Sequence, residues 1–291
     1  MLFSAVWPDN LGPESFTDQR RIFFLDGVRE TSWGAIAFVC LMATVAVFVF
    51  LWVRMLALAL IWIVCIGVGV FAWGRQRLRD LGLAGSNALP GIAYGIIWWA
   101  LTVGAVAAIA LVRGTPLQWP VFEGTLGPLV KQLVVFALAE EVVFRGFLMA
   151  QLYRKLRQIC TSSAVALTAA ILISQLFFAL YHIPHRVSEH IAVAQMATNL
   201  ALTLSTGVLL CLVYVRTGNL LTALGIHAAS NVGGLLAYTE NFGLTQLVMI
   251  GGALILADLY ARLKRKASAK AETHILPNAS APRHDGSRGS P

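Results

Sequence analysis

The sequence is poor in charged residues, which make up only 12% of its 291 positions. A soluble domain averages about 25% charged residues. The hydrophobic content of 58% and the mean hydropathy of +0.73 agree with this scarcity of charge. Together they exclude an ordinary soluble domain and indicate a protein of the lipid bilayer.

Signatures of several other classes are also missing. The four cysteines are Cys40, Cys65, Cys160 and Cys211. They are far apart and form no Cys-x-x-Cys pair, so neither a zinc ribbon nor a disulfide framework is indicated. We expect them to be small buried hydrophobes. The HExxH motif of zinc proteases is absent. The first thirty residues are too polar for a signal peptide, so we expect the first membrane helix to be retained.

The formal net charge is +8, from 22 Lys and Arg against 14 Asp and Glu. The basic residues occupy short connections and the C-terminal tail, as is typical of loops at an acidic lipid surface. No basic face with interleaved aromatic residues is present, so we predict no nucleic-acid partner. Nothing in the sequence indicates an oligomeric state.

Apolar stretches of about 20 residues predict membrane helices. We predict an all-α polytopic protein with about eight of them, at 33–53, 55–74, 91–112, 128–151, 163–184, 194–214, 219–237 and 245–261. With the N-terminus inside, the inner segments hold 17 basic residues and the outer loops three, namely Arg54, Arg113 and Arg186. This asymmetry predicts that both termini are cytoplasmic.

The predicted spans divide the chain into three parts. Residues 1–32 form an N-terminal cytoplasmic segment, residues 33–262 a transmembrane domain, and residues 263–291 a disordered polar tail. Between two spans, Arg75–Leu83 is predicted to be a short amphipathic helix at the membrane surface.

Charged groups inside a bilayer are costly and usually functional. The fourth predicted span carries nearly all of them, namely Lys131, Glu140, Glu141 and Arg145, while Asp258 lies near the end of the last span. Glu141 and Arg145 are four residues apart and can pair. Glu140 lies about 100° around the helix from Glu141, which leaves it available as a general base. The alternative is a structural ion-pair network between helices.

Two more helices carry polar residues at a spacing of four. Phe178 and His182 lie near the end of the fifth predicted span, and His227 and Asn231 lie on one face of the seventh. Two donors aimed at one point can stabilise an oxyanion. The alternatives are a packing histidine and a polar contact between helices. His185 follows Pro184 and is expected to lie outside the helix, with no assigned role.

These three motifs, in this order, resemble the CPBP family of intramembrane proteases, also called the ABI or CAAX-protease family. The resemblance covers about residues 125–240. It implies that Glu140 activates water with help from His182, that His227 and Asn231 hold the oxyanion, and that Glu141 and Arg145 support the base. It also implies an integral membrane endopeptidase, in the inner membrane if the source is bacterial. Its substrate would be a membrane-associated protein or peptide, either a prenylated CAAX protein or a sorting tag or peptide precursor.

The same residues also fit another mechanism and two other functions. Glu140, His182 and His227 can instead be zinc ligands; we favour a mechanism without a cofactor. A proton-coupled transporter is a second function, although no inverted repeat and no second charged helix support it. A non-catalytic interaction or immunity protein is a third. The predicted spans also place His182 and His227 at depths that differ by about 15 Å.

Overall fold

The computed structural model describes residues 23–53, 56–118, 123–232, 238–239 and 242–275. These residues are helical apart from turns and one two-residue antiparallel pair of strands, so the all-α prediction is confirmed. The elements before the motif helix are α1 (Phe23–Asp26), α2 (Trp33–Val53), α3 (Leu56–Gly67, continued by the π-helical Val68–Trp73), the 3₁₀ turns Leu78–Leu81 and Gly85–Asn87, α4 (Ala88–Arg113) and β1 (Leu117–Gln118).

The motif helix, α5, runs without a break over residues 126–156. Its segments are Leu126–Lys131, the π-helical Gln132–Phe136, Ala137–Glu140, the π-helical Glu141–Met149 and Ala150–Leu156. After it come α6 (Ser163–Tyr181), α7 (Ile183–Ser188), α8 (Val193–Thr217), α9 (Leu220–Asn231), β2 (Tyr238–Thr239) and α10 (Phe242–Ile275). π-Helical turns are rare and are frequent at functional sites; here they lie on both sides of Glu140.

A helix lies at the position of each predicted membrane span. Within the described residues, three are long and apolar enough to cross a membrane, namely Leu78–Arg113, Ser163–Ser188 and Val193–Thr217. Trp33–Val49 and Leu60–Trp73 are apolar but shorter. The count of eight spans therefore stays a prediction.

Large apolar side chains point outward from several helices. Val64 on α3 is 64% exposed, Leu111 on α4 is 81% exposed and Val193 on α8 is 89% exposed. A water-soluble surface rarely carries so many large apolar side chains. These outward faces are suited to contact with lipid chains.

α9 is shorter than the predicted span 219–237. Asn219 starts it, because its side chain accepts a hydrogen bond from the Leu221 N–H at 3.0 Å. The same side chain donates to the Asn87 carbonyl at 2.8 Å, which ties α9 to the start of α4. The helix ends at Asn231, since Val232 adopts an extended backbone. The predicted span was therefore too long.

Glycines allow α9 to lie close against α4. A methyl group added to Gly225 would lie 3.2 Å from the Gly95 Cα atom. One added to Gly91 would lie only 2.6 Å from the Leu221 Cβ atom. Small residues at such a contact let two helix backbones approach closely. This contact positions the helix that carries His227.

The structure describes two of the polar segments differently from the sequence. α10 continues through Ile275, so the structure describes residues 263–275 of the predicted tail as helical. They are rich in Ala, Lys and Arg, which are strong helix formers; residues 276–291 of the predicted tail lie outside the described residues. Arg75–Leu83 forms only the 3₁₀ turn Leu78–Leu81, which ends at Gly82 in the left-handed region, and Gln76 and Leu81 are buried.

Residues 23–32 dock against the C-terminal end of α5. The Gln151 side chain is fully buried, accepts a hydrogen bond from the Thr31 N–H at 3.0 Å and donates to the Arg29 carbonyl at 2.8 Å. The part of the predicted N-terminal segment that the structure describes is therefore packed into the protein. Residues 1–22 lie outside the described residues.

Candidate active site

Glu140 and Glu141 are neighbours in the sequence but face different surroundings. The Glu140 side chain is 18% exposed and lines a cavity, whereas Glu141 is 0% exposed. Successive residues of a helix point about 100° apart, which accounts for the divergence. The geometry separates an accessible carboxylate from a buried one, as the spacing predicts. Of the charged residues predicted inside this span, Lys131 is exposed at the start of α5 instead.

The buried Glu141 pairs with Arg145. The Glu141 Oε1 and Arg145 Nη1 atoms are 3.1 Å apart, and both side chains are fully buried. The guanidinium carbon of Arg145 also lies 4.1 Å from the centre of the Phe178 ring, which is a cation–π contact. Arg145 thus pairs with Glu141 within α5 and contacts α6 through the Phe178 ring. Among the ion pairs of the described residues, Glu140 contacts the imidazoles of His182 and His227 rather than a Lys or Arg side chain.

His227 lies between the two carboxylates. Its Nδ1 is 2.6 Å from Glu141 Oε1, and its Nε2 is 3.4 Å from Glu140 Oε2. A carboxylate is an acceptor only, so the hydrogen-bonding network assigns a proton to Nδ1. Nε2 is then an acceptor in the neutral ring and a donor in the imidazolium. Glu141 therefore sets the orientation of His227 toward Glu140.

His182 approaches Glu140 from α6. It follows the last residue of that helix, and its Nδ1 lies 2.8 Å from the Phe178 carbonyl oxygen, to which it donates. Its Nε2 is 4.0 Å from Glu140 Oε1. Both imidazoles therefore direct Nε2 toward the same carboxylate, each with Nδ1 engaged elsewhere.

The predicted depth mismatch between His182 and His227 is absent, because α6 and α9 start at different levels along α5. Leu220, the first residue of α9, lies beside Gly146, since a methyl group on that glycine would be 3.5 Å from Leu220 Cδ2. α6 starts only after α5 has ended and the chain has reversed. About ten residues of α5 separate the two levels, which is about 15 Å.

Asn231 is the last residue of α9 and lines the same cavity as Glu140. Its Nδ2 donates to Gln132 Oε1 at 3.3 Å. An amide nitrogen carries two protons, so one remains for another acceptor. Gln132 was not predicted as a site residue. A glutamine inside a predicted membrane span, two turns before Glu140, was the available signal.

The cavity has a volume of about 500 Å³ and two unlike walls. One wall is polar and contains Gln132, Glu140, His182 and Asn231. The other is aliphatic and comes from α2 and α3, with Ala43, Ala46, Val47, Ile63 and Ile66. A pocket that combines apolar walls with a few polar groups is typical of a binding site for a small or extended ligand.

Other polar residues near the site were also missed. Ser174 and Gln175 on α6 are fully buried, and the Gln175 amide donates to the Ser174 hydroxyl at 2.9 Å. Uncharged polar residues inside a predicted span were the available signal, since such side chains often make hydrogen bonds between helices. His185 belongs to α7 and lines the cavity with Arg186 and Glu189.

The two imidazoles and Glu140 are of the side-chain types that bind zinc. An Nδ1 anchored on a carboxylate or carbonyl, with a free Nε2, is the arrangement that metal-binding histidines use. Among the described residues, however, no group of three or more His, Cys, Asp or Glu side chains has a geometry that would hold a metal ion. We therefore derive no catalytic step through zinc.

Residues 122–233 match the family model described as type II CAAX prenyl endopeptidase Rce1-like. This stretch of the chain, which we call the Rce1-like domain, is similar to that family. No curated protein and no solved structure matches the chain.

The Rce1-like domain contains every predicted site residue, from Glu140 to Asn231. At the level of the family it supports a CAAX-type intramembrane endopeptidase. Together with the three long apolar helices, it indicates an integral membrane protein. The match identifies neither the catalytic role of each residue nor the substrate.

Proposed function

We propose that this protein is an intramembrane endopeptidase that hydrolyses a peptide bond in a membrane-associated protein or peptide. The observation that carries the proposal is the position of the Glu140 carboxylate, 3.4 Å from the His227 Nε2 and 4.0 Å from the His182 Nε2, on a cavity. A base, two imidazoles and an amide donor form a set sufficient for hydrolysis. The substrate is a CAAX-type protein, or a peptide precursor or sorting tag cut near its C-terminus.

Glu140 acts as the general base in this proposal. It takes a proton from a water molecule whose oxygen attacks the carbonyl carbon of the peptide, and it later returns that proton to the leaving amine as the C–N bond breaks. His182 accepts a hydrogen bond from the same water through Nε2. Such proton transfers by a positioned side chain contribute about 10²–10⁴-fold to rate.

His227 and Asn231 hold the negative charge that develops on the carbonyl oxygen. Since Glu141 engages the Nδ1 proton, His227 donates from Nε2 only as an imidazolium, and we propose that form for catalysis. Two carboxylates, Glu140 and Glu141, would then be balanced by the imidazolium and Arg145, so that no net charge is left in the low-dielectric interior. Loss of one oxyanion donor costs about 10²–10³-fold in rate.

The number of membrane spans and the side on which the termini lie are also part of this proposal. We propose about eight spans with both termini in the cytoplasm, supported by the asymmetry of basic residues. If the source is bacterial, the protein lies in the inner membrane. A proton-coupled transporter or a non-catalytic interaction protein would use the same buried charges without cleaving a peptide.

Substitution of Glu140 tests the proposed function. Glu140→Gln removes the base but keeps the shape of the side chain, and His227→Ala removes a donor. We expect each to lower cleavage of a membrane-anchored reporter by about 10²-fold or more, with unchanged protein levels in membranes. Glu123→Gln, at an exposed carboxylate before α5, is the control and should cleave normally. Full activity of Glu140→Gln and His227→Ala in a working assay would contradict the assignment.

Metal depletion tests the cofactor. We expect the purified protein to keep its turnover after chelation, with the metal content measured by elemental analysis. Activity that disappears with the metal and returns with added zinc would replace the base mechanism with a zinc mechanism.

A further inference from the structure

Basic segments that are far apart in the sequence meet at one end of the helix bundle, which we call the basic end. It contains residues 75–79, 154–157, 216 and 262–266. Arg154 donates to the Asp26 carbonyl at 3.1 Å, and Gln76 donates to the Arg29 carbonyl at 2.8 Å. These bonds join the first two basic segments through residues 23–32.

The remaining basic segments join the same end through α8 and α10. The Arg216 Nη2 atom is 3.3 Å from Asp258 Oδ1, and the Lys264 Nζ atom donates to the Thr217 carbonyl at 3.5 Å. Gly82, next to residues 75–79, packs against the Gly218 carbonyl, since a methyl group there would lie 2.8 Å from it. All four segments therefore share one end of the bundle.

The opposite end carries little positive charge. It contains the paired strands β1 and β2, the start of α5 and the end of α9. Of the basic side chains that the structure describes, Arg113, Lys131 and Arg186 lie toward it. Arg186 is offset by Glu189, whose Oε2 lies 2.8 Å from its Nη1.

The catalytic cavity lies toward this opposite end. Its polar rim contains Gln132 near the start of α5, Asn231 at the end of α9, and Glu189 just after α7. Asn231 and Glu189 are exposed. None of the residues that line the cavity belongs to the basic end.

Packed side chains close the route from the cavity to the basic end. From Val142 to Gln151, every residue of α5 is buried. Leu81 and Leu220 pack beside Gly146 at this level, and both are fully buried. Ten residues of helix correspond to about 15 Å of packed interior. Access to Glu140 is therefore from the opposite end, which carries little positive charge.

Cytoplasmic loops of membrane proteins carry the excess of Lys and Arg, so the basic end faces the cytoplasm. We infer that the catalytic cavity opens toward the non-cytoplasmic side of the membrane, and that the substrate is an exported or outward-anchored polypeptide rather than a lipidated tail on the cytoplasmic face. This inference rests on the proposed function and narrows its substrate class.

Cysteine accessibility in cells that express the full chain tests the orientation of the cavity. In a background with the four native cysteines replaced, Ser188→Cys places a thiol on α7 beside the rim, and Ile159→Cys places one at the basic end, where the side chain is 79% exposed. We expect a membrane-impermeant maleimide to label Ser188→Cys in intact cells and Ile159→Cys only after permeabilisation. Labelling of Ser188→Cys only after permeabilisation, or of Ile159→Cys in intact cells, overturns the inference.

A second measurement uses the unmodified protein, in case the cysteine-free background does not fold. Two reporters carry the same cleavage site, one exported across the membrane and one kept in the cytoplasm on a membrane anchor. We expect cleavage of the exported reporter alone, and cleavage of the cytoplasmic one overturns the inference. Failure to cut either reporter counts against the proposed protease instead, while the labelling result still decides the orientation.

Discussion

Two ion pairs in this protein join an acidic residue to an arginine four residues later in the same helix. One pair is buried and the other is exposed. Glu141 and Arg145 are fully buried, whereas Arg262, which pairs with Asp258 at 2.6 Å, is 67% exposed. An exposed pair contributes about 0–1 kcal/mol to stability. Removal of one partner of a buried pair leaves an uncompensated charge and costs about 3–5 kcal/mol.

This contrast gives a prediction at the residue scale. Arg145→Met is expected to destabilise the protein by about 3–5 kcal/mol, because Glu141 loses its cation and Phe178 its stacked guanidinium. Thermal unfolding in detergent measures the effect. Arg262→Met, at the exposed pair of the same spacing, should change stability by less than about 1 kcal/mol. Equal stability of the two variants would show that the buried Glu141–Arg145 pair contributes no more to stability than the exposed one.

Single residues were the most predictable part of the site. The spacing of Glu141 and Arg145 predicts their contact, and the neighbouring position of Glu140 predicts that it faces another way. The fine geometry was not predictable in this way. The hydrogen bond from the His227 Nδ1 to Glu141 depends on how far α9 lies along α5, and a spacing within one helix carries no information about that offset.

At the scale of elements, the contact of α4 with α9 determines where His227 lies. Gly91→Ala is expected to push α9 away from α4, because the added methyl group would lie 2.6 Å from Leu221 Cβ and 2.9 Å from the Asn219 side chain. Overpacking of this kind costs about 1–3 kcal/mol. We expect a lower unfolding temperature and a lower cleavage rate.

Gly104→Ala is the matched control for that prediction. It lies on the same helix, and a methyl group there has nothing within 4 Å. Alanine is also the better helix former by about 1 kcal/mol, so this variant should be as stable as the parent or more so. If Gly91→Ala were equally well tolerated, the close packing of α4 on α9 would not be needed for the site.

The lengths of the elements were less predictable than their positions. Hydropathy locates a helix at each predicted span but extends the seventh beyond Asn231, where the chain turns to an extended backbone. Hydropathy also places the end of the last helix too early, at residue 261. The helix continues through Ile275, but this part is rich in Lys and Ala and is therefore not apolar enough to be included in a predicted span. The π-helical turns around Glu140 have no sequence signature of this kind.

At the scale of the whole molecule, residues 23–32 hold the basic end together. Gln151→Leu is expected to release this segment, because the Thr31 N–H and the Arg29 carbonyl each lose a buried partner. A lost buried hydrogen bond of this kind costs about 1–3 kcal/mol. Limited digestion with trypsin, which cuts after the exposed Arg29, should be faster in the variant.

The control for this prediction is Gln158→Leu, because Gln158 bonds the same segment only at the surface, through Glu30. Digestion at the parental rate is expected.

The pKa of the Glu30 carboxyl is lower than its usual value. The hydrogen bond from Lys155 is the main cause, and the hydrogen bond from Gln158 adds to it. A lowered pKa in the folded state means that this contact stabilises the folded protein near neutral pH and is lost as the pH falls through that pKa.

The two short strands have a consequence for how such a protein can vary. Leu117 pairs with Thr239 and Gln118 with Tyr238, just outside the two limits of the Rce1-like domain at 122 and 233. Neighbouring strands lie about 5 Å apart, so the two stretches of chain that flank the matched segment lie side by side. We expect proteins that share this segment to differ in the lengths of the flanking helices more readily than in the separation of the two strands.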